Sequence, residues 1–169
     1  MWNDTDTPIA YLITFRCYGT WLHGDERGSI DRTHNAYGSP YIEPNAGWKG
    51  YNAGKLKSEP VKLSGAQRKT VESAVREVCE FKRWSLYAIN VRTNHAHAVA
   101  AIGGASSGSA LNAFKAYATR HLRSNGLWTY PHSPWADKGS CRRIWNEASL
   151  HRSIDYVLNG QGGPLPDLD

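Results

Sequence analysis

The chain has 169 residues, a formal net charge of +5 and a pI near 9.2. This length predicts a single domain over 1–169 with a core of useful size. No apolar run approaches the roughly 18 residues that a membrane span needs, and the N-terminus lacks the basic and apolar segments of a signal peptide. Three widely spaced cysteines, Cys17, Cys79 and Cys141, argue against a disulfide framework or a zinc site and favour a reducing, cytoplasmic compartment.

Composition also narrows the class of partner. Seven Trp and nine Tyr accompany the positive charge. Cations that follow phosphates and rings that stack on unpaired bases suit a single-stranded nucleic acid. A modest excess of solvated surface charge explains the same composition equally well, so the choice between the two depends on the motifs.

The first predicted element is a strand over residues 9–21, which mixes β-branched and aromatic residues. A turn-rich segment with many Gly and Pro residues follows at 24–62. Loops of that length are unusual inside a compact domain and are commonly functional or mobile. We expect either a flap that contacts nucleic acid or an insertion packed on the body of the domain.

The first helix is predicted from a capping box, in which the Ser64 hydroxyl accepts from the backbone and Gln67 reaches back. We expect this helix to end near Lys82. Its apolar residues recur at helical spacing and are predicted to be buried, while the polar residues between them face outward. The buried set is Val71, Ala74, Val75, Val78 and Cys79, and the outward set is Arg68, Lys69, Glu72, Arg76 and Glu80.

Two strands are predicted next, over 84–92 and 95–102, with a tight turn at Thr93-Asn94 between them. A Gly/Ser-rich link then leads into a second helix at about 110–124, which Asn125-Gly126 ends.

A short strand over 141–145 and a last helix at about 149–159, ended by Asn159-Gly160, complete the chain. The resulting order is β, long loop, α, β, β, α, β, α. It predicts a ferredoxin-like or RRM-like α+β sandwich, with a central antiparallel sheet, helices on one face and a C-terminal helix.

The segment Asn90–Ile102 contains the most informative pattern of the chain, His95-Ala96-His97. Side chains at positions i and i+2 of a strand lie on one face, so the two imidazoles can bind one metal ion. If the pair faces the helices instead, both are core histidines held by hydrogen bonds. The triplet is not specific by itself and needs support from elsewhere in the chain.

The last helix supplies that support, because it carries the phenol of Tyr156 with the amides of Asn159 and Gln161 close behind it. With these residues the sequence resembles the single-tyrosine HUH transposases of the IS200-like and REP-associated kind. The matching segments are His95–His97, Ile154–Val157, Tyr11–Arg16, Arg143–Trp145 and, for one branch of the family, Tyr18–Gly28.

The resemblance implies a metal-dependent nickase and strand transferase that acts on single-stranded DNA. His95 and His97 would bind Mg²⁺ or Mn²⁺ together with an amide oxygen, and His ligands favour the transition metal. The cation would neutralise charge on the scissile phosphate while Tyr156 attacks, giving a 5′-phosphotyrosine and a free 3′-OH. The implied partner is DNA with a hairpin, in a bacterial-type cytosol near the nucleoid, and the protein would act as a monomer or a homodimer.

The amide position departs from the family pattern, in which Gln or Asn usually lies four residues after the tyrosine. Here that position is Gly160, whereas Asn159 lies three residues after Tyr156 and Gln161 five. On an ideal helix a residue five positions further on is rotated roughly 140°, so Gln161 requires either a bulge or a helix that Gly160 has already ended. We predict Gln161 as the third ligand, with Asn159 as the alternative.

Other residues compete for roles in this site. Tyr117 is a rival nucleophile on the second helix, although a packed ring with an exposed hydroxyl is the ordinary interpretation. The candidate phosphate contacts are Lys115, Arg120, Arg123, Arg142 and Arg143, of which the last two are favoured by their place before the last helix.

The main alternative function is a non-catalytic, RRM-like module that binds single-stranded nucleic acid. A phosphoesterase that uses a bound water would need more carboxylate ligands than the sequence offers. Among HUH enzymes, replication initiators and relaxases fit so short a chain less well than a transposase does.

Overall fold

The computed structural model of the protein describes residues 6–20, 59–163 and 165. The elements there are β1 (Ala10–Arg16), α1 (Gly65–Lys82), β2 (Ser85–Val91), β3 (His95–Ala101), α2 (Ser107–Ser124), β4 (Ser140–Ile144) and α3 (Glu147–Asn159). The predicted order and the α+β class are confirmed. Most of the predicted loop at 24–62, the end of the predicted first strand and most of the Tyr18–Gly28 segment lie outside the described residues.

The four strands form one antiparallel sheet in the order β2-β3-β1-β4, so β3 and β1 are its central strands. The register pairs His97 with Thr14 of β1 and His95 with Arg16. On the other side of β3, Asn90 of β2 is paired with His97. The two histidines therefore lie on a strand, as predicted, and this strand is a central one, with polar residues beside them on both neighbouring strands.

Helices α1 and α2 pack on one face of the sheet, and α3 packs on the other. The core under α1 and α2 receives alternate residues of the central strands together with the apolar stripes of both helices. From the strands these residues are Ile13, Phe15, Cys17, Ala96, Ala98 and Ala100. A smaller apolar cluster, Ala10, Leu12, Ala88, Val99, Ile144 and Val157, joins α3 to the opposite face.

The capping box at the start of α1 is confirmed. The Ser64 hydroxyl accepts from the Gln67 amide at 3.2 Å, and the Gln67 side-chain oxygen accepts from the Ser64 amide at 2.9 Å. The helix ends at Lys82, because Arg83 adopts the left-handed conformation with φ 57°. The outward orientation predicted for Arg68 is wrong. Its side chain turns back into the fold, where the guanidinium donates to the Leu63 carbonyl at 3.0 Å and the residue is buried.

The other two helices begin earlier than predicted, because their N-caps precede the expected starts. The Ser106 hydroxyl accepts from the Ser109 amide at 3.1 Å, so α2 begins at Ser107 and includes part of the predicted flexible link. Asn146 accepts from the Ser149 amide at 2.9 Å and so begins α3 two residues early. No helix in the described ranges is long and apolar enough to cross a bilayer.

Candidate active site

The histidine pair faces α3 and not the main core. Alternation along β3 sends Ala96 and Ala98 into the core under α1 and α2, so His95 and His97 point to the other face. Their ring centroids lie 4.7 Å apart with the planes at 72°. The sequence left two orientations of the pair possible. The structure has the one in which both rings point away from the main core.

His97 is the more enclosed of the pair, with 7% of its surface exposed. Its Nδ1 lies 2.7 Å from the Thr14 hydroxyl on β1. Burial and, to a smaller extent, the charge of a protonated His95 lower the pKa of His97 to about 4, although a hydrogen bond with Gln161 opposes both effects. The ring is therefore neutral at pH 7. If the Nδ1 proton is donated to Thr14, Nε2 keeps its lone pair.

The orientation of His95 is set by its neighbour Asn94, whose side-chain oxygen lies 2.7 Å from Nδ1 of the ring. An amide oxygen can only accept, so the proton of this bond belongs to the imidazole Nδ1. In the neutral ring Nε2 then carries a lone pair, and it lies 3.4 Å from the Gln161 side-chain oxygen. Two electron-rich atoms thus face each other across the site.

Helix α3 places Tyr156 above this pair. Val157 is the one buried residue of α3, and it fixes the helix on the apolar cluster. The adjacent Tyr156 is 47% exposed, and its ring centroid lies 5.5 Å from that of His97. Tyr117 lies on α2, on the opposite face of the sheet, with the Arg120 guanidinium 4.4 Å above its ring. Of the two candidate nucleophiles, only Tyr156 lies beside the histidines.

The end of α3 also decides which amide reaches the pair. The helix ends at Asn159, and the chain turns at Gly160, where a Cβ would lie 2.7 Å from the Tyr156 carbonyl oxygen. After this turn the side-chain nitrogen of Gln161 (Nε2) donates to that same carbonyl at 3.2 Å. This bond directs the side-chain oxygen of Gln161 towards His95. The Asn159 side chain donates instead to Asp155 at 2.8 Å along the exposed side of the helix.

The five candidate phosphate contacts do not lie together. On α2, Lys115 donates to the carbonyls of Ala136 and Lys138. Arg123 donates to three successive carbonyls of the loop before β4, those of Tyr130, Pro131 and His132. These two cations therefore anchor a loop on the α1 and α2 face, a role that the sequence analysis did not predict.

The remaining candidates lie on different faces. Arg120 covers the Tyr117 ring on α2. On the edge strand β4, Arg142 is paired with Leu12 and Arg143 with Tyr11, and both arginines are exposed. Since paired residues of an antiparallel sheet share a face, Arg142 is the one of the five on the same face as the histidines.

Two site residues were missed by the sequence analysis. Asn94 directly precedes His95, so its reach to Nδ1 could have been inferred from proximity. Thr14 lies 83 positions from His97, and only the strand register brings the two together. Both side chains orient a ring through its Nδ1, which is the usual way in which outer residues fix metal-binding histidines.

The donor atoms of the site are few and of mixed type. In the described part of the chain no group of three or more His, Cys, Asp or Glu side chains converges. The available donors are two imidazole nitrogens and one amide oxygen. Nitrogen and oxygen donors of this kind, with open positions left for substrate oxygens, suit Mn²⁺ or Mg²⁺ chemistry on phosphate. The residues present fit such an ion.

Known proteins resemble this chain in fold, whereas searches by sequence find no match. No protein-family model matches the chain, and no curated protein matches it. A solved structure of a REP-associated tyrosine transposase bound to a REP hairpin superposes with a TM-score of 0.51. The alignment has 13% sequence identity and covers 93% of this chain and 70% of the other. The chain has the fold of that transposase. The fold that the sequence resemblance implied is therefore confirmed.

A second solved structure, of a candidate transposase from Deinococcus radiodurans R1, aligns over 95% of this chain and 97% of its own length. The identity is 11% and the TM-score 0.49.

Proposed function

We propose that the protein is a single-strand DNA endonuclease and strand transferase of the transposase type, with Tyr156 as the nucleophile. The observation that carries this proposal is the meeting of four side chains at one end of the α3 face: Tyr156, His95, His97 and Gln161. The shared fold with a REP-associated tyrosine transposase supports it. By the same reasoning we propose single-stranded DNA with a hairpin as the substrate.

Each of these side chains has a part in the proposed reaction. His95, His97 and the Gln161 oxygen would hold a divalent ion, which when bound offsets negative charge on the scissile phosphate. The Tyr156 oxygen attacks the phosphorus and loses its proton. The bond from phosphorus to the leaving 3′ oxygen breaks, and that oxygen takes up a proton. Tyr156 then carries the 5′ phosphate, and a later attack by a 3′-OH on this phosphotyrosine joins the strands.

The geometry of the histidines supports metal binding over a purely structural role. Nε2 of His95 lies 3.4 Å from Oε1 of Gln161. One cation beside these two atoms could therefore take a nitrogen and an oxygen ligand at once. Thr14 and Asn94 contact the Nδ1 atoms of the two rings. When each Nδ1 carries the proton, both Nε2 atoms would be available to a metal ion.

The decisive experiment is a search for a covalent adduct. The protein is incubated with a pool of single-stranded hairpin oligonucleotides and Mn²⁺, and a denaturing gel shows any protein–DNA species. Wild type should form an adduct, and a chelator should prevent it. Tyr156→Phe removes one oxygen and should abolish the adduct, whereas the matched Tyr117→Phe should leave it unchanged.

Two results would contradict the proposal. An adduct that survives in Tyr156→Phe and disappears in Tyr117→Phe would assign the chemistry to the other face of the sheet. Tight binding of the oligonucleotides with no adduct under any metal condition would identify the non-catalytic binding module instead.

A further inference from the structure

Two polar side chains, Asn90 of β2 and Arg92 just after this strand, contact the end of α3 and the segment that follows it. We call this pair the β2 clamp. The side-chain nitrogen of Asn90 (Nδ2) donates to the Val157 carbonyl at 2.9 Å. The Arg92 guanidinium donates to the Gly163 carbonyl at 3.1 Å. The two acceptors lie on either side of Gln161 in the sequence, so the clamp holds the segment that carries this residue from both ends.

The clamp is aligned with the histidine pair by the sheet itself. Asn90 is paired with His97 across the two strands, and the Arg92 amide donates to the His95 carbonyl at 2.8 Å. Each clamp residue thus stands beside one histidine on the next strand. A shift of the helix end relative to β2 is therefore also a shift relative to the two imidazoles.

The end of α3 needs such a clamp for two reasons. The last carbonyls of a helix have no partner within it, and Val157 is among these last residues of α3. Asn90 supplies the missing donor. In addition, α3 has a single buried residue, whereas α1 and α2 have seven and five. Leu150 and Ile154 of α3 also pack on the apolar cluster but are only partly buried. The apolar packing of α3 is therefore thin, and polar contacts at its C-terminal end help to set its rotation and tilt.

We propose that Asn90 and Arg92 are positioning residues, which keep the Tyr156 ring and the Gln161 oxygen against His97 and His95. This inference rests on the proposed function for its consequence in catalysis, but not for its geometry. Displacement of reacting groups by about 1 Å can cost on the order of 100-fold in rate. Loss of the clamp should therefore slow the chemical step far more than it weakens DNA binding.

The geometric part is tested by NMR on the full chain, without DNA or metal. In wild type, ring protons of Tyr156 and His97 should show a nuclear Overhauser effect, since the centroids lie 5.5 Å apart. Asn90→Ala and Arg92→Ala should each weaken this effect, and the double variant should abolish it. Asn112→Ala, an exposed residue of α2, is the matched control and should keep it. Wild-type intensity in the double variant would overturn the proposal, whatever the activity.

The catalytic part is tested by single-turnover adduct formation at saturating oligonucleotide. Asn90→Ala should lower the rate by about 10- to 100-fold with little change in the oligonucleotide concentration that gives half-saturation. Asn90→Gln keeps an N–H donor and should recover part of the rate, whereas Asn90→Asp offers only acceptors to the Val157 carbonyl and should not. A folded Asn90→Ala protein with the wild-type rate would refute the positioning role. If wild type forms no adduct, the proposed function fails, and the ring contact still decides whether the clamp positions Tyr156.

Discussion

The two faces of the sheet are built from the same strands and differ in almost every property. On β1 and β3 the residues that face α1 and α2 are apolar and buried, including Ile13, Phe15 and Ala98. Their immediate neighbours Thr14 and His97 face α3 and bond to each other. Because side chains alternate along a strand, one segment can contribute to a dry core and to a polar site at once. A slip of one residue in register would exchange the two sets.

The α3 face is itself divided. Its apolar cluster lies towards the start of β1, around Ala10 and Leu12, where Val157 packs. Its polar end lies towards the end of β1, where Thr14 meets His97. The helix thus packs on the apolar end through Leu150, Ile154 and Val157 and presents Tyr156 towards the polar end, where Asn90 also contacts it. Stability and chemistry should therefore respond to different substitutions.

The largest expected effect is the loss of chemistry on the polar end. His97→Ala removes a proposed ligand and should lower the rate of adduct formation by at least about 1,000-fold. The free energy of unfolding should fall by only about 1 to 3 kcal/mol, the cost of losing a buried hydrogen-bond partner of Thr14, because the ring does not lie in the main core. Adduct assays and urea unfolding on the same samples test this. A variant that unfolds but retains its rate per folded molecule would reverse the comparison.

The turn after α3 should be the next most sensitive point. Gly160→Ala places a Cβ 2.7 Å from the Tyr156 carbonyl, so the turn must shift and take Gln161 with it. We expect a loss of up to about 100-fold in rate. Gly163→Ala is the matched control, since its Cβ would meet nothing within 4 Å. Equal rates for the two variants would show that the position of Gln161 does not matter.

On the opposite face, the pH dependence of stability should show how fully Cys17 is shielded from water in the main core. Burial raises the pKa of the Cys17 thiol to about 12 from an ordinary value of 9.0. A group whose folded pKa is raised stabilises the fold fully below pH 9 and loses this contribution as the pH rises towards 12. At about pH 10.5 the loss should be about 2 kcal/mol.

Urea unfolding at pH 8 and at about pH 10.5 measures this loss, with Cys17→Ala as the control. The variant should lose about 2 kcal/mol less than wild type between the two conditions. Identical losses would mean that the thiol is not enclosed as described.

The smallest effects are expected for substitutions of two adjacent residues of β1, Ile13 and Thr14. Because these residues face opposite sides of the sheet, they test the difference between the two faces most directly. Thr14→Val keeps the shape but removes the oxygen beside His97, and it should weaken Mn²⁺ binding about 10-fold. Ile13→Val removes one methylene from the main core and should cost about 1 kcal/mol of stability without changing Mn²⁺ affinity. Isothermal titration and thermal unfolding of both variants make the comparison. Matching changes in both variants would mean that the two faces are coupled.

The fold was largely predictable because its signals are local. The capping box at Ser64 and Gln67, the turn before His95 and the alternation along β3 each depend on residues close in sequence. The starts of α2 and α3 were missed where Ser106 and Asn146, both good N-caps, precede residues that also suit a link. Arg68 was misplaced because a guanidinium near a helix start can fold back to a carbonyl, which a periodicity argument does not see.

The candidate site was predictable in its parts and not in its assembly. The histidine pair and Tyr156 could be selected by residue type and spacing, and their ligand and nucleophile roles stay predictions. The placement of Gln161 depends on a turn at Gly160 that a helical projection cannot describe. The partners of Lys115 and Arg123 are backbone carbonyls of an irregular loop. Contacts of this kind cannot be predicted from a pattern of side chains.

The thin attachment of α3 has a consequence for local stability. The imidazoles project from a central strand with hydrogen-bonded neighbours on both sides. The phenol belongs to a helix held by one buried residue, two partly buried ones and the β2 clamp. Opening of α3 therefore costs less free energy than opening of β3, and amide protons of the helix should exchange with solvent well before those of the strand. The histidines form the fixed half of the site, and the tyrosine forms the half that can yield while the sheet stays folded.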